Sequence, residues 1–194
     1  MGQCAAAFNA LVLSSRDVNG HSSPPCRHRP RKIRTRLRGL AGKRPTPECV
    51  LRHETAATFH GLLAGRLLVF TDGSGQNDGR ATAACVLHSL ELLSECRFAC
   101  EVLSTIAELA VLDLAADALL GKRVPSAAVL SDSRAALQLL AQDSRRALVA
   151  TRIVRKLEVA QDLGCDLVLQ STFEYPAMKW PMSSPRMRTL RKPL

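Results

Sequence analysis

Residues 67–75 read LLVFTDGSG. Four apolar residues lead to Thr71, then to one carboxylate, Asp72, then to small residues. A short apolar run bounded by turn residues reads as a buried strand. The acid that ends it has two readings. Asp-Gly is a common way to leave a strand. A strand end is also a rigid place from which to hold a metal ligand. The stretch alone leaves both readings open.

The text around it has the pattern of an α/β domain. RATAACVLHS (80–89) and LSECRFACEV (93–102) are two more apolar, strand-like runs. STIAELAVLDLAADALLG (104–121) then changes to a helical period. Thr105 followed by Glu108 fits a capping box, and Gly121 is the expected stop. PSAAVLSDSRAALQLLAQ (125–142) is a strand running into a helix. SRRALVATRIVRKLEVAQDLG (144–164) is an amphipathic helix, and CDLVLQ (165–170) a last strand. The expected order is β-β-β-α-β-α-β, a mixed sheet flanked by helices.

Composition bounds the function. The 194 residues carry a net charge of +10, unevenly placed. Residues 1–66 hold 12 Lys/Arg against 3 acids, residues 67–170 hold 10 against 13, and residues 171–194 hold 5 against 1. Three regions follow: a basic, Pro-rich stretch over 1–65 expected to be disordered, a folded domain over 66–170, and a basic irregular tail over 171–194. The run CRHRPRKIRTRLRGLAGKR (26–44) is either a phosphate-binding tail or a solvated linker.

No apolar run is long enough to span a membrane, so no membrane partner is expected. The first residues lack the basic start of a signal peptide. Gly2 and Cys4 suggest acylation, but Ala6 stands where Ser or Thr is expected. Seven cysteines, at 4, 26, 49, 85, 96, 100 and 165, form no C-x-x-C. They read as reduced thiols in an intracellular protein, cytoplasmic or nuclear, with no zinc site. Cys96 and Cys100 are expected on one strand face. Asp113 and Asp117 are read as surface. Arg145, Arg152 and Lys156 are read as a solvated or phosphate-facing side of their helix. Tyr175 and Trp180 could stack on a base, but support little.

Three acids stand at special places. Asp72 and Asp132 end the first and fourth expected strands, and Glu108 lies in the first turn of the first helix. Each has an ordinary explanation: a turn, a helix N-cap, a capping box. If the first and fourth strands are neighbours, the three converge. Carboxylates sharing a small site raise one another's pKa, and a hard divalent cation relieves this. Oxygen-only ligands favour Mg²⁺ or Mn²⁺.

VFTDGS, then STIAELAVLDLAADAL, then VLSDSRAALQLL closely resemble the ribonuclease H-like domains of non-LTR retrotransposon reverse transcriptases. The resemblance covers roughly residues 66–170. It implies a ribonuclease H-like fold, with a five-stranded mixed sheet. It also implies Mg²⁺-dependent endonuclease cleavage of the RNA strand of an RNA–DNA hybrid. By position, Asp72 would bridge two ions, and Glu108 and Asp132 would complete one of them. Ser74, Gly75, Gln76 and Asn77 would lie near the hybrid. The family continues with a Pro-x-His segment and a G-N-E-x-A-D helix bearing a fourth carboxylate. Here CDLVLQ is followed by STFEYPAMKW and neither motif appears, so the C-terminal helix is expected to be absent. Only Glu174 remains as an acid. The resemblance therefore implies weak or absent cleavage. The alternative is a non-catalytic remnant that binds nucleic acid through its basic ends.

Overall fold

The computed structural model describes residues 32–36, 46–75, 81–90, 92–98, 102–142 and 148–172. They form an α/β fold with a mixed six-stranded sheet and four helices. The strands are β1 (Lys32–Arg34), β2 (Leu67–Gly75), β3 (Ala81–Leu87), β4 (Leu92–Arg97), β5 (Ser126–Ser131) and β6 (Asp166–Ser171). The helices are α1 (Glu48–Ala57), α2 (Ser104–Lys122), α3 (Arg134–Ala141) and α4 (Leu148–Asp162). The sheet order is β1-β6-β5-β2-β3-β4. β2, β3 and β4 form an antiparallel meander, while β5, β6 and β1 run parallel to β2.

The expected first and fourth strands, β2 and β5, are neighbours, with Thr71 opposite Ser131. Over 67–171 the order is β-β-β-α-β-α-α-β: both helices read between β5 and β6 form, one more than the order β-β-β-α-β-α-β counts. α2 is buried on nearly every side, from Ala107 to Leu119. It lies between the sheet and α4. Its alanines let backbones approach on both sides, and this all-round apolar character is what a buried helix carries.

Elements also form before Leu67, where a disordered region was expected. Ile33 packs against the main core, and Lys32 Nζ lies 2.8 Å from Asp166 Oδ1. Arg66 donates to the Asp166 carboxylate, the Asp166 carbonyl and Ser126 Oγ. These contacts hold β1 on the sheet edge despite its charge. α1 begins after Pro47, with Glu48 and Arg52 paired at 2.7 Å, and buries Leu51 and Thr55. A π-helical turn (Thr58–Leu62) follows. Phe59 and Leu62 there cover a second apolar cluster of Leu63, Phe70, Val86, Ala128 and Leu130.

Three local expectations are corrected. α2 is capped by Leu103 with no side-chain cap bond, so Thr105 makes no capping box. Gly121 lies inside α2, and Arg123 takes the left-handed closing position at φ 48°. β4 ends at Arg97, so a continuous strand does not join Cys96 to Cys100, which lies outside the described residues. Cys49, Cys85, Cys96 and Cys165 form no disulfide among the described residues. Burial pushes the Cys85 thiol up to about 11. Among the described residues no helix is long and apolar enough to cross a membrane.

Candidate carboxylate site

β2 does not end at Asp72. It runs on to Gly75, and Asp72 is paired with Ala84 of β3 inside the strand. The turn reading of Asp72 is therefore set aside. β5 stops earlier, at Ser131, so Asp132 emerges beside Asp72, one residue past the last register pair.

Asp132 is not the helix cap. Ser133 is: its Oγ accepts from the Ala136 N–H at 3.3 Å. The Asp132 carbonyl accepts from the Arg134 N–H, and Ser131 Oγ accepts from the Ser133 N–H at 3.2 Å. Thr172 N–H closes on the Ser131 carbonyl at 2.8 Å. These bonds satisfy the backbone around Asp132, and its carboxylate accepts from its own N–H and from that of Ser133.

Glu108 reaches the same place from α2. With Leu103 as cap it lies beyond the first helical positions, so its acid is not spent on the helix start. The first turn of α2 is pressed onto β2 at Gly73. A Cβ there would stand 2.8 Å from the Ala107 carbonyl carbon, 2.8 Å from Glu108 N and 2.9 Å from Glu108 Cα. Real side chains do not tolerate such contacts with backbone, so only glycine fits. The Gly73 N–H donates to the Glu108 carboxylate. Glu108 is 7% exposed, and its Oε2 is buried with no hydrogen-bond partner.

The electrostatics follow from this placement. Burial, then the charges of Asp132 and Asp72, push Glu108 up to about 8, against the single Gly73 bond that lowers it. Partial burial, then Asp72, raises Asp132, although its surface remains accessible. Asp132 thus feels Asp72, and Glu108 feels both. An unpartnered buried carboxylate oxygen is costly in a folded protein. Among the described residues, no group of three or more His, Cys, Asp or Glu is arranged to hold an ion as it stands. Like charges without a cation between them have no reason to close up.

No protein-family model matches the chain, and no curated protein matches it in sequence.

Among the expected substrate-binding residues, Ser74 shares the Asp72 face of β2 by strand alternation. Its Oγ lies 2.9 Å from Thr82 Oγ1 on β3. Gly75 ends β2, and Gln76 and Asn77 lie outside the described residues. So do Arg145, Glu174, Tyr175 and Trp180.

The surface reading of Asp113 is corrected. It is 9% exposed and is paired with Lys156 at 2.8 Å and Arg152 at 3.3 Å. Lys156 also meets Asp117 at 2.7 Å. These two cations of α4 therefore hold it to α2, rather than forming a solvated or phosphate-facing side. The residue that sequence reasoning undervalued is Gly73. Its signal was a glycine inside a strand, which often marks close approach of another backbone.

Proposed function

We propose that this chain is a ribonuclease H-like domain whose Asp72, Glu108 and Asp132 hold Mg²⁺ or Mn²⁺ against the backbone of an RNA–DNA hybrid. The observation that carries this reading is the buried, unpartnered Oε2 of Glu108, with two further carboxylates raising the same group's pKa. A helix that only packs would place an apolar residue there. Three convergent carboxylates are the donor chemistry of a hard cation. The resemblance over 66–170 and the adjacency of β2 and β5 support the same reading.

Within it, the chain's residues have separate tasks. Asp72 presents its carboxylate from a paired strand. The Gly73 N–H orients Glu108. The Ser131–Ser133–Arg134 turn fixes Asp132. When bound, the cation supplies Lewis-acid stabilisation of charge on phosphate oxygens. Among the described residues no further carboxylate joins Asp72 and Asp132 in raising Glu108. Hydrolysis by this chain is accordingly slow, and binding without cleavage is the second reading.

The test is incubation of the chain with end-labelled RNA–DNA hybrid, with Mg²⁺, with Mn²⁺ and with EDTA. The proposal expects slow cleavage of the RNA strand that needs the cation and is lost in Asp72→Asn. Metal-independent cleavage, or cleavage that survives Asp72→Asn, would assign the activity elsewhere.

A further inference from the structure

β1 lies outside the stretch that carries the family resemblance, and its placement is specific. It is parallel to β6, so its chain leaves the sheet at the end where β2 and β5 deliver Asp72 and Asp132. The register runs across the sheet. Arg34 is opposite Gln170, Gln170 opposite Leu130, and Leu130 opposite Phe70. Residues in register share a face, and Asp72 is two residues on from Phe70. Arg34 and Asp72 thus belong to one face of the sheet. Ile33 points the other way, into the main core, as this alternation requires.

The spacing follows from strand geometry. Two strand intervals and two residues along β5 separate the Arg34 and Asp132 positions, about 12 Å. That is roughly three to four nucleotides along one strand of a duplex, at about 3.4 Å each. Arg36 follows two residues later and is exposed. The neighbouring cations are committed: Lys32 and Arg66 to Asp166, Arg152 and Lys156 to Asp113. Among the described residues no acid pairs with Arg34 or Arg36.

We infer that Arg34 and Arg36 form a phosphate-binding rim for a nucleic-acid duplex, anchored by β1 beside the carboxylate site. The inference rests on the proposed nucleic-acid function and specifies where the backbone is gripped. The occupant is a polyanion because the free cations sit next to acids that would repel it without them. The arginines hold phosphates a few nucleotides from the acids, so the acids meet one particular phosphodiester and not the whole duplex. Such contacts position the duplex and read no sequence. The clamp of Lys32 and Arg66 on Asp166 makes the rim part of the fold, unlike a loose basic tail.

The experiment measures binding of a 20-base-pair RNA–DNA hybrid in EDTA, across a salt series, by the full chain. EDTA removes any contribution of a cation at the acids, so the reading isolates the arginines. The double variant Arg34→Ala/Arg36→Ala is expected to lose about tenfold in affinity at 0.1 M salt. Its slope of log affinity against log salt should fall by about 2, near one unit per lost phosphate contact. Arg34→Lys/Arg36→Lys should keep the slope. Lys122→Ala/Arg155→Ala removes the same charge at exposed positions elsewhere and should change little. Arg36→Ala alone, past the end of β1, covers the case in which the double variant fails to fold, and should lower the slope by about 1. An unchanged slope in the arginine variants, or an equal loss in the Lys122/Arg155 control, overturns the rim. Failure of the carboxylate reading would appear separately, as loss of cation-dependent cleavage with this binding intact.

Discussion

The backbone N–H of Gly73 donates to the carboxylate of Glu108, and the side chain that Gly73 lacks would collide with the backbone of Glu108 itself. One glycine therefore sets both how close α2 comes to β2 and where its acid points. Gly73→Ala must push the first turn of α2 away. The obstacle is backbone, which cannot rotate aside. We expect a loss of about 2 kcal/mol in urea unfolding, in the range of overpacked cores. The variant should also lose cation-dependent thermal stabilisation, whereas Gly121→Ala, with open space around it, should lose neither.

Glu108 gives a pH dependence of defined sign. Its folded-state pKa is raised from 4.5 to about 8, so the folded protein holds this proton more tightly than the unfolded chain. The resulting stability is fully present below about pH 4.5 and is lost as pH rises through about 8. Glu108→Gln removes this penalty. It should be more stable than the parent by about 2 kcal/mol at pH 9, well under the full 1.4 kcal/mol per pKa unit because the site is partly solvated. At pH 5 the two should be nearly equal. Urea unfolding at pH 5, 7 and 9 checks both limits.

Asp113 binds α4 to α2 through two cations. Removing it leaves Lys156, whose side chain is 17% exposed, beside Asp117 alone. Breaking one side of a largely buried pair is costly, and Asp113→Ala should lose about 2–3 kcal/mol in unfolding free energy. Asp117→Ala, at a side chain 54% exposed, should lose no more than about 0.5 kcal/mol.

Arg123 closes α2 at φ 48°, a conformation that suits glycine better than arginine. Arg123→Gly should raise the unfolding free energy by about 0.5–1 kcal/mol. Thermal unfolding reads this as a shift of a few degrees.

Much of the central fold was legible because residues 67–171 keep local pattern and tertiary role in agreement. The apolar runs around Val69, Val86 and Val129 are strands buried in the sheet. Boundaries were less legible where a tertiary contact overrides local chemistry. Asp-Gly at 72–73 reads as a turn, but the glycine serves an approaching helix and the strand continues. Thr105 has the spacing of a cap, but α2 starts one residue earlier. Asp113 looks exposed by composition, and is buried because its partners come from a helix some 40 residues later. β1 was hidden for the same reason: its charge argues for solvent, and only Ile33, Asp166 and Arg66 justify its place. The three acids could be named from the sequence, but the capping explanations for Glu108 and Asp132 could be removed only by seeing Leu103 and Ser133 in those positions.

The most direct measurement is a titration of the chain with Mg²⁺ and with Mn²⁺ at pH 7.5, read by calorimetry and by thermal unfolding. The account predicts saturable, loose uptake of one ion. With a dissociation constant of about 1 mM, 10 mM cation would add about 1.4 kcal/mol, or several degrees of melting temperature. Asp72→Asn, Glu108→Gln and Asp132→Asn should each abolish the uptake and the shift. Absence of saturable binding, or binding of equal strength in all three variants, would contradict the claim that these carboxylates form a cation site.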